Sequence, residues 1–207
     1  MHLLLTDRLT CPRCGPEFGL ILLADRLEDR RVLDGALGCP NCRDRYPVRD
    51  GFGDLRPPPR TGFTDDQALV APDSPTLIEV AGLLGITEGA GHVVLLGRMA
   101  GHADSLAERL ASIEVVGICA GLRSWDEAEG VSRLTAGSRL PFRAQSLRGL
   151  ALFGGEGMAD PAEASRVVAR FGRVVVWGGV DGWASALEGE GLTILVSETT
   201  GVVAARQ

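Results

Sequence analysis

Two matching stretches, Cys11-Pro12-Arg13-Cys14 and Cys39-Pro40-Asn41-Cys42, decide the fold of the first part of the chain. A Cys-x-x-Cys pair bends the backbone so that two thiolates converge, and two such pairs supply the four sulfur ligands of a closed tetrahedral zinc site. The 24 residues between the pairs suffice for a short ribbon that brings them together. Because a closed site has no open coordination position, the predicted zinc is structural and does not activate water.

Two disulfides or a redox Cys-x-x-Cys are the alternatives for these cysteines. Neither explains two matched pairs in a chain that shows no secretory signal, since its opening apolar run reaches only Leu5 before Asp7 and Arg8. No apolar stretch approaches the length needed to span a membrane. We therefore expect a cytoplasmic protein with no membrane partner.

The composition suits a globular α/β protein, with 45% hydrophobic residues and 28 glycines among 207 residues. All 21 basic residues are arginine. Residues 1–60 hold 10 arginines against 9 acids, and residues 61–207 hold 11 arginines against 18 acids. A strongly basic face is the usual electrostatic mark of nucleic-acid binding. The charge balance therefore disfavours a nucleic-acid partner.

A proline-rich segment divides the chain into two parts. The run from Arg56 to Arg60 contains three prolines and favours an extended spacer, so we predict a zinc ribbon over 1–56, a linker over 57–75 and a second domain over 76–207. Within the ribbon, segments 19–24 and 31–37 read as paired strands, and 46–51 as a third strand and turn. A ribbon this small buries little core, so metal binding supplies much of its folding free energy, and we expect the two parts to have separate cores.

Helices and strands alternate after the linker. The pattern predicts helices over 76–86 and 104–111 and a helix starting at Asp160-Pro161, and it predicts strands over 93–97, 113–119, 150–153 and 173–177. Segments 192–196 and 201–205 read as a closing antiparallel hairpin. The predicted fold class is α/β: a small zinc ribbon followed by a Rossmann-like, mainly parallel sheet with a C-terminal hairpin.

The first part resembles a known family. The two cysteine pairs and the segment Tyr46-Pro47-Val48-Arg49-Asp50-Gly51 match the zinc ribbons whose best-known members activate tRNA and translation-factor methyltransferases as small partner subunits. The resemblance covers nearly all of residues 3–55. In that family the ribbon and the methyltransferase usually meet as separate chains, so the resemblance implies that the ribbon here either docks on the second domain of this chain or is offered to another protein.

Residues 76–207 are similar, more weakly, to the Rossmann-like class I methyltransferases that use S-adenosylmethionine. In that family a glycine-rich turn after the first strand approaches the cofactor, and here Gly97 and Gly101 match its outer glycines. Other positions depart from the pattern. Leu95 stands where an acid is expected, Met99 replaces the central glycine, and Cys119 falls where a second acid would hold the ribose. A methionine side chain at this point is expected to obstruct the cofactor.

Other polar residues carry less weight. Segment 135–137 lacks the aspartate that the resemblance implies, and segment 153–157 lacks the polar catalytic motif that many members of that family carry. We interpret His92 and His102 as ordinary loop histidines and Cys119 as a small buried hydrophobe. The three tryptophans either pack in the core, as expected for Trp177 on its strand, or line an interface or pocket. We assign no catalytic residue.

Three functions remain open. The first is a non-catalytic methyltransferase-like protein that acts as a structural or regulatory subunit, with a protein partner or a homo-oligomer and no bound S-adenosylmethionine. The second is an active methyltransferase with an atypical cofactor loop, in which Gly97 and Gly101 bind the cofactor. The third is a zinc-ribbon protein that binds nucleic acid. The lost acids and Met99 favour the first.

Overall fold

The computed structural model describes residues 1–63, 69–86, 89–110 and 112–207. Its strands are β1 (Thr10–Cys11), β2 (Gly15–Gly19), β3 (Ile21–Glu28), β4 (Arg31–Gly38), β5 (Arg45–Arg49), β6 (Phe52–Leu55), β7 (Gly91–Leu96), β8 (Ile113–Ile118), β9 (Val131–Ala136), β10 (Leu147–Phe153), β11 (Val168–Trp177), β12 (Thr193–Ser197) and β13 (Gly201–Ala205). Its α-helices are α1 (Leu77–Leu84), α2 (Ala103–Ala107), α3 (Pro161–Val167) and α4 (Trp183–Gly189). Short 3₁₀ segments cover Leu3–Arg8, Gly97–His102, Ala120–Ser124 and Gly154–Glu156.

Two tight turns build the ribbon. Asp29 and Arg30, with φ of 44° and 63°, join β3 to β4. Asp50 and Gly51, with φ of 47° and 76°, join β5 to β6. A two-residue loop with both residues at positive φ matches the right-handed twist of the strands it connects, and Asp-Gly is a favoured sequence for it. The predicted ribbon strands are therefore present, with β6 added after the third.

The ribbon and the Rossmann-like part share one sheet. Its eleven strands lie in the order β12-β13-β11-β10-β7-β8-β9-β6-β5-β4-β3. Strands β9, β8, β7, β10 and β11 are parallel, and β13 is antiparallel to β11 and to β12, which confirms the mainly parallel sheet and the closing hairpin. The link between the two parts is β6, which pairs in parallel with β9.

The expectation of two separate cores is wrong. One continuous core combines Leu9, Cys11 and Leu37 of the ribbon with Val94 and Val116 of the Rossmann-like sheet. The N-terminal segment lies on the face of the sheet that carries this core. There Leu9 forms an antiparallel β-bridge with Phe142, and the Thr10 amide donates to the carbonyl of Pro141 at 2.9 Å. The ribbon thus both extends the sheet and covers one of its faces. The boundaries at 56 and 76 stay a prediction.

A charged network also crosses the junction. The guanidinium of Arg31 in β4 donates to Glu127 at 2.6 Å and to Glu114 at 2.8 Å. Glu127 in turn accepts from Arg133, a residue of β9 that is only 2% exposed, at 2.9 Å. Buried charges need partners of this kind, so the network fixes the register between ribbon and sheet.

Helix starts follow the sequence closely. Thr76 and Glu79 form a reciprocal capping box at the start of α1, and the Asp160 side chain accepts from the Glu163 amide at 2.8 Å to start α3. The predicted helix over 104–111 is shorter, since α2 ends at Ala107, and Ala111 lies outside the described residues. Strand β9 and helix α4 were not predicted.

Candidate metal centre and candidate cofactor crevice

Four thiols meet at one end of the ribbon. Cys11 lies in β1, Cys14 just beyond it, and Cys39 and Cys42 in the turn after β4. All four sulfur atoms lie within 4.8 Å of one another, and none forms a disulfide. The Sγ atoms of Cys11 and Cys42 are 3.7 Å apart, and those of Cys14 and Cys39 are 3.9 Å apart. Zinc–sulfur bonds of about 2.3 Å in a tetrahedron require roughly 3.8 Å, so the set suits zinc.

Neighbouring donors orient these thiols. The Tyr46 hydroxyl lies 3.4 Å from the sulfur of Cys11, which also accepts from the Cys14 amide at 3.4 Å. The Asn41 side-chain amide donates to the sulfur of Cys14 at 3.3 Å. Burial raises the pKa of Cys11, but the hydrogen bonds from Tyr46 and from the Cys14 and Arg13 amides outweigh it and lower that pKa to about 7. Hydrogen bonds to ligand sulfurs favour the thiolate that a metal requires.

The candidate cofactor crevice lies where the strand order reverses. Strands β7 and β10 are neighbours, and the chain continues from them toward opposite edges of the sheet. Open α/β sheets bind ligands outside the carboxyl ends of such strands. Here β7 ends at Leu96 and is followed by Gly97, which has a φ of 59°, and β10 ends at Phe153 and is followed by Gly154. Only glycine adopts such a φ readily, which accounts for Gly97 whether or not a ligand binds.

A carboxylate fills the space beside Gly97. Glu156, in the turn after β10, accepts from the Arg98 amide at 3.2 Å and from the Arg98 guanidinium at 2.6 Å. Its Oε2 lies against the face of Gly97 where a side chain would point. The same guanidinium lies 4.5 Å from the centre of the Phe153 ring. The turns after β7 and β10 are thus tied together, and sequence patterns had not pointed to Glu156.

A neighbouring chain segment covers the second glycine. The backbone of Val70 and Ala71 lies against Gly101, where a Cβ atom would be 2.6 Å from the Ala71 Cα. The ring nitrogen Nε2 of His102 lies 2.9 Å from the carbonyl oxygen of Pro75 and anchors the end of this segment. Gly97 and Gly101 are therefore both in close contact with other segments of this chain.

The residues that depart from the family pattern lie below the crevice. Leu95 and Met99 are both fully buried in the core that packs against α1 and α2. The expectation that the Met99 side chain obstructs the cofactor is therefore wrong, because its apolar side chain is drawn into that core. Cys119 follows β8 and is half-buried, with its amide bonded to the Leu134 carbonyl at 3.0 Å. Neither Leu95 nor Cys119 supplies a carboxylate.

Two glycine pairs, Gly154-Gly155 after β10 and Gly178-Gly179 after β11, pack against each other. The Gly154 amide donates to the carbonyl of Gly178 at 3.0 Å, and a Cβ atom on Gly179 would lie 2.5 Å from the Gly155 nitrogen. His92 is the second residue of β7 and so lies in a strand, not in the predicted loop. His102 ends the 3₁₀ segment that follows the other end of this strand, so the structure does not bring the two histidines together. Burial lowers the pKa of His92. Trp177 packs against the core, as predicted.

One cavity lies at a different place on the surface. One of about 430 Å³ separates α1 from the terminal hairpin and is lined by Leu83, Trp177 and Val196, with Glu79 and Glu198 at its rim. It contains neither Gly97 nor Gly101.

Within the described residues, no helix is long and apolar enough to cross a membrane.

A comparison with known protein families finds a match in the N-terminal part of the chain. Residues 2–51 match the model of the Trm112p-like protein family. No curated protein matches the chain.

Similar solved structures are methyltransferases of low sequence identity. The precorrin-6y C5,15-methyltransferase of Geobacter metallireducens is 13% identical, with a TM-score of 0.50 over 70% of this chain and 97% of that one. Geranyl diphosphate methyltransferase, solved with GPP and sinefungin, is 13% identical, with a TM-score of 0.49 over 63% and 77%. A chain from a complex of the Haloferax volcanii Trm112 methyltransferase activator is 15% identical, with a TM-score of 0.45 over 58% and 70%. The chain thus joins a segment that matches the Trm112p-like family model to a part whose fold is similar to that of the Geobacter metallireducens methyltransferase.

Proposed function

We propose that this chain is a non-catalytic methyltransferase-like protein with a structural zinc site, and that it serves as a structural or regulatory subunit of a protein assembly. The observation that carries the proposal is the contact between Glu156 and the turn of Gly97 and Arg98. A ligand that approached Gly97 would have to displace a carboxylate that accepts two hydrogen bonds from Arg98.

The chemistry around the crevice supports the same conclusion. The two acids that related methyltransferases use are replaced by Leu95 and Cys119. Each lost charge-assisted hydrogen bond costs about 1.5–3 kcal/mol, so a micromolar site would weaken to roughly millimolar affinity. The backbone of Val70 and Ala71, which packs on Gly101, leaves a ligand still less room to approach that glycine.

Calorimetric titration of the zinc-loaded protein with S-adenosylmethionine tests the proposal. We expect no binding below millimolar concentration for the natural sequence, for Glu156→Ala or for the control Glu198→Ala, an exposed glutamate on the hairpin. Micromolar binding by the natural sequence would contradict the proposal. Micromolar binding by Glu156→Ala alone would show that Glu156, and not the missing acids, keeps the natural sequence from binding, and the natural protein would still be non-catalytic.

One observation favours the active methyltransferase as a second candidate. Glu156 places a carboxylate beside Gly97, close to the position of the acid that the strand lacks. If Glu156 replaces that acid, the natural sequence binds S-adenosylmethionine and Glu156→Gln loses the affinity. The same titration therefore separates the two functions.

Zinc in this proposal holds the ribbon in the shape that the sheet requires. Cys11, Cys14, Cys39 and Cys42 are the proposed ligands, and the closed four-sulfur set leaves no position for a substrate. Thiols kept for a metal suit a reducing compartment, which supports a cytoplasmic protein. The Trm112p-like ribbon supports a protein partner more than nucleic acid.

A further inference from the structure

The outer edge of the ribbon exposes three large apolar side chains on one strand. Strand β3 ends the eleven-stranded sheet, and in the described part no strand pairs with its free side. Ile21, Leu23 and Leu27 on this strand are 55%, 44% and 48% exposed. Alternate peptide groups of an edge strand point outward and can pair with another chain, and natural proteins usually shield such edges.

A shallow cavity adjoins this edge. It measures about 340 Å³ and is lined by Ile21, Leu23, Pro40, Arg43 and Arg45, among others. An apolar side chain of a bound segment would fit against the first three, and the two arginines stand at its rim.

Two arginines line the cavity together with Cys39, one of the proposed zinc ligands. The ion pairs of the ribbon involve Arg13, Arg26, Arg31 and Arg56. Arg43 and Arg45 are exposed, and among the described residues neither forms an ion pair. Apolar exposure combined with free guanidinium groups is complementary to a segment that carries both apolar and acidic side chains.

From these features we infer that β3 and the adjoining cavity form a docking site for an extended, acidic and apolar segment of a partner protein, which adds a strand to the sheet at β3. Backbone hydrogen bonds to an exposed strand edge supply affinity, and side chains at alternate positions supply specificity. The inference rests on the proposed role as a subunit in an assembly. It uses no residue of the cofactor crevice.

The probe is a fluorescein-labelled ten-residue peptide in which leucine and glutamate alternate at every second position and threonine fills the rest. This spacing places leucine and glutamate on one face of a strand. Fluorescence anisotropy measures its binding to the zinc-loaded full chain. We expect binding by this peptide, and loss of it when lysine replaces glutamate or when proline replaces alternate threonines, because proline lacks the amide proton that pairs with β3.

Variants of the protein complete the test. Reversing both charges, Arg43→Glu with Arg45→Glu, should weaken the peptide about tenfold or more. The control, Arg109→Glu with Arg170→Glu, changes the charge equally at exposed sites elsewhere and should leave affinity unchanged. Tryptophan emission and zinc content check that each variant is folded. If the charge variant does not fold, Leu23→Ser alone should lower the affinity by the loss of apolar contact.

Several results would overturn the inference. Equal binding of the lysine peptide, or no effect of the charge and Leu23 variants, would remove the basis for an acidic partner. Self-association in sedimentation that Leu23→Glu abolishes would assign the edge to a second copy of this chain. Binding of a labelled oligouridylate that the charge variant loses would assign it to nucleic acid. None of these results depends on the titration with S-adenosylmethionine, so the failure of either proposal can be recognised separately.

Discussion

Gly53 of the ribbon and Leu134 of the Rossmann-like part are direct partners in the parallel pair of β6 and β9. A Cβ atom at position 53 would lie 2.7 Å from the Cδ2 atom of Leu134. Because Gly53 has no side chain, the side chain of Leu134 can pack against β6, and the core continues beneath both strands. The ribbon thus shares one sheet and one core with the Rossmann-like part.

Gly53→Val tests this junction. The added side chain would crowd Leu134 and Leu55, and overpacking of this kind costs about 1–3 kcal/mol. Gly62→Val is the control, because no atom lies within 4 Å of a Cβ there, and its free energy of unfolding should change by no more than about 0.5 kcal/mol. Urea unfolding measures both. Equal effects of the two variants would show that the junction is loosely packed.

The shared core changes what loss of zinc should do. We expect Cys39→Ser to lower the zinc content from one per chain and to destabilise the whole chain by several kcal/mol, since metal binding contributes to folding. The three tryptophans, Trp125, Trp177 and Trp183, all follow the proline-rich run and report on the Rossmann-like part.

Heating with two readouts checks this prediction. Zinc release and tryptophan emission should change together in one transition, at a lower temperature in Cys39→Ser than in the natural sequence. Cys119→Ser, which alters the cysteine outside the cluster, should retain zinc and change stability by less than about 1 kcal/mol. A Cys39→Ser protein whose tryptophans unfold at the natural temperature would show that the two parts fold independently.

Glu127 should stabilise the junction in a pH-dependent way. Burial raises the pKa of Glu127, but the positive charges of the Met1 amine, Arg133 and Arg31 outweigh it and hold that pKa below its ordinary value of 4.5. A carboxyl with a lowered pKa in the folded state contributes stability above its unfolded pKa, and this stability is lost as the pH falls through the folded value.

We therefore expect Glu127→Gln to cost roughly 3 kcal/mol at pH 7, because the buried Arg133 loses its carboxylate partner. The difference from the natural sequence should shrink below about pH 4.5. Urea unfolding at several pH values measures it. Glu129→Gln is the matched control, since its side chain is exposed. A difference that does not change with pH would assign the loss to packing and not to charge.

The sequence predicted the zinc ribbon and the Rossmann-like sheet separately, but it did not predict that the two share one sheet and one core. The cysteine spacing gave the thiol cluster, and alternating apolar segments gave most strands of the sheet. Strand β9 was missed because Ser132, Arg133 and Thr135 make it read as polar, although all three are buried. Their partners, among them Glu127 for Arg133, are supplied by the fold and are invisible in a local pattern.

The candidate crevice was predicted only in its position. Gly97 and Gly101 lie at the end of β7 as expected, but Met99 points into the core because the 3₁₀ segment after Gly97 turns its side chain inward. The groups that close the crevice, Glu156 and the backbone of Ala71, come from distant segments of the chain. Neither carries a motif, so sequence patterns could not identify them.

Gly101→Ala distinguishes a glycine kept for packing from one kept for a cofactor. If Gly101 serves the contact with Val70 and Ala71, a methyl group must displace backbone atoms 2.6 Å away, and the free energy of unfolding should fall by about 1–3 kcal/mol with no ligand present. Gly155→Ala, where a Cβ atom meets nothing within 4 Å, should be nearly neutral. Urea unfolding of the ligand-free proteins measures both. A stable Gly101→Ala variant would show that this glycine is not required by the contact, and would favour the candidate function in which it admits S-adenosylmethionine.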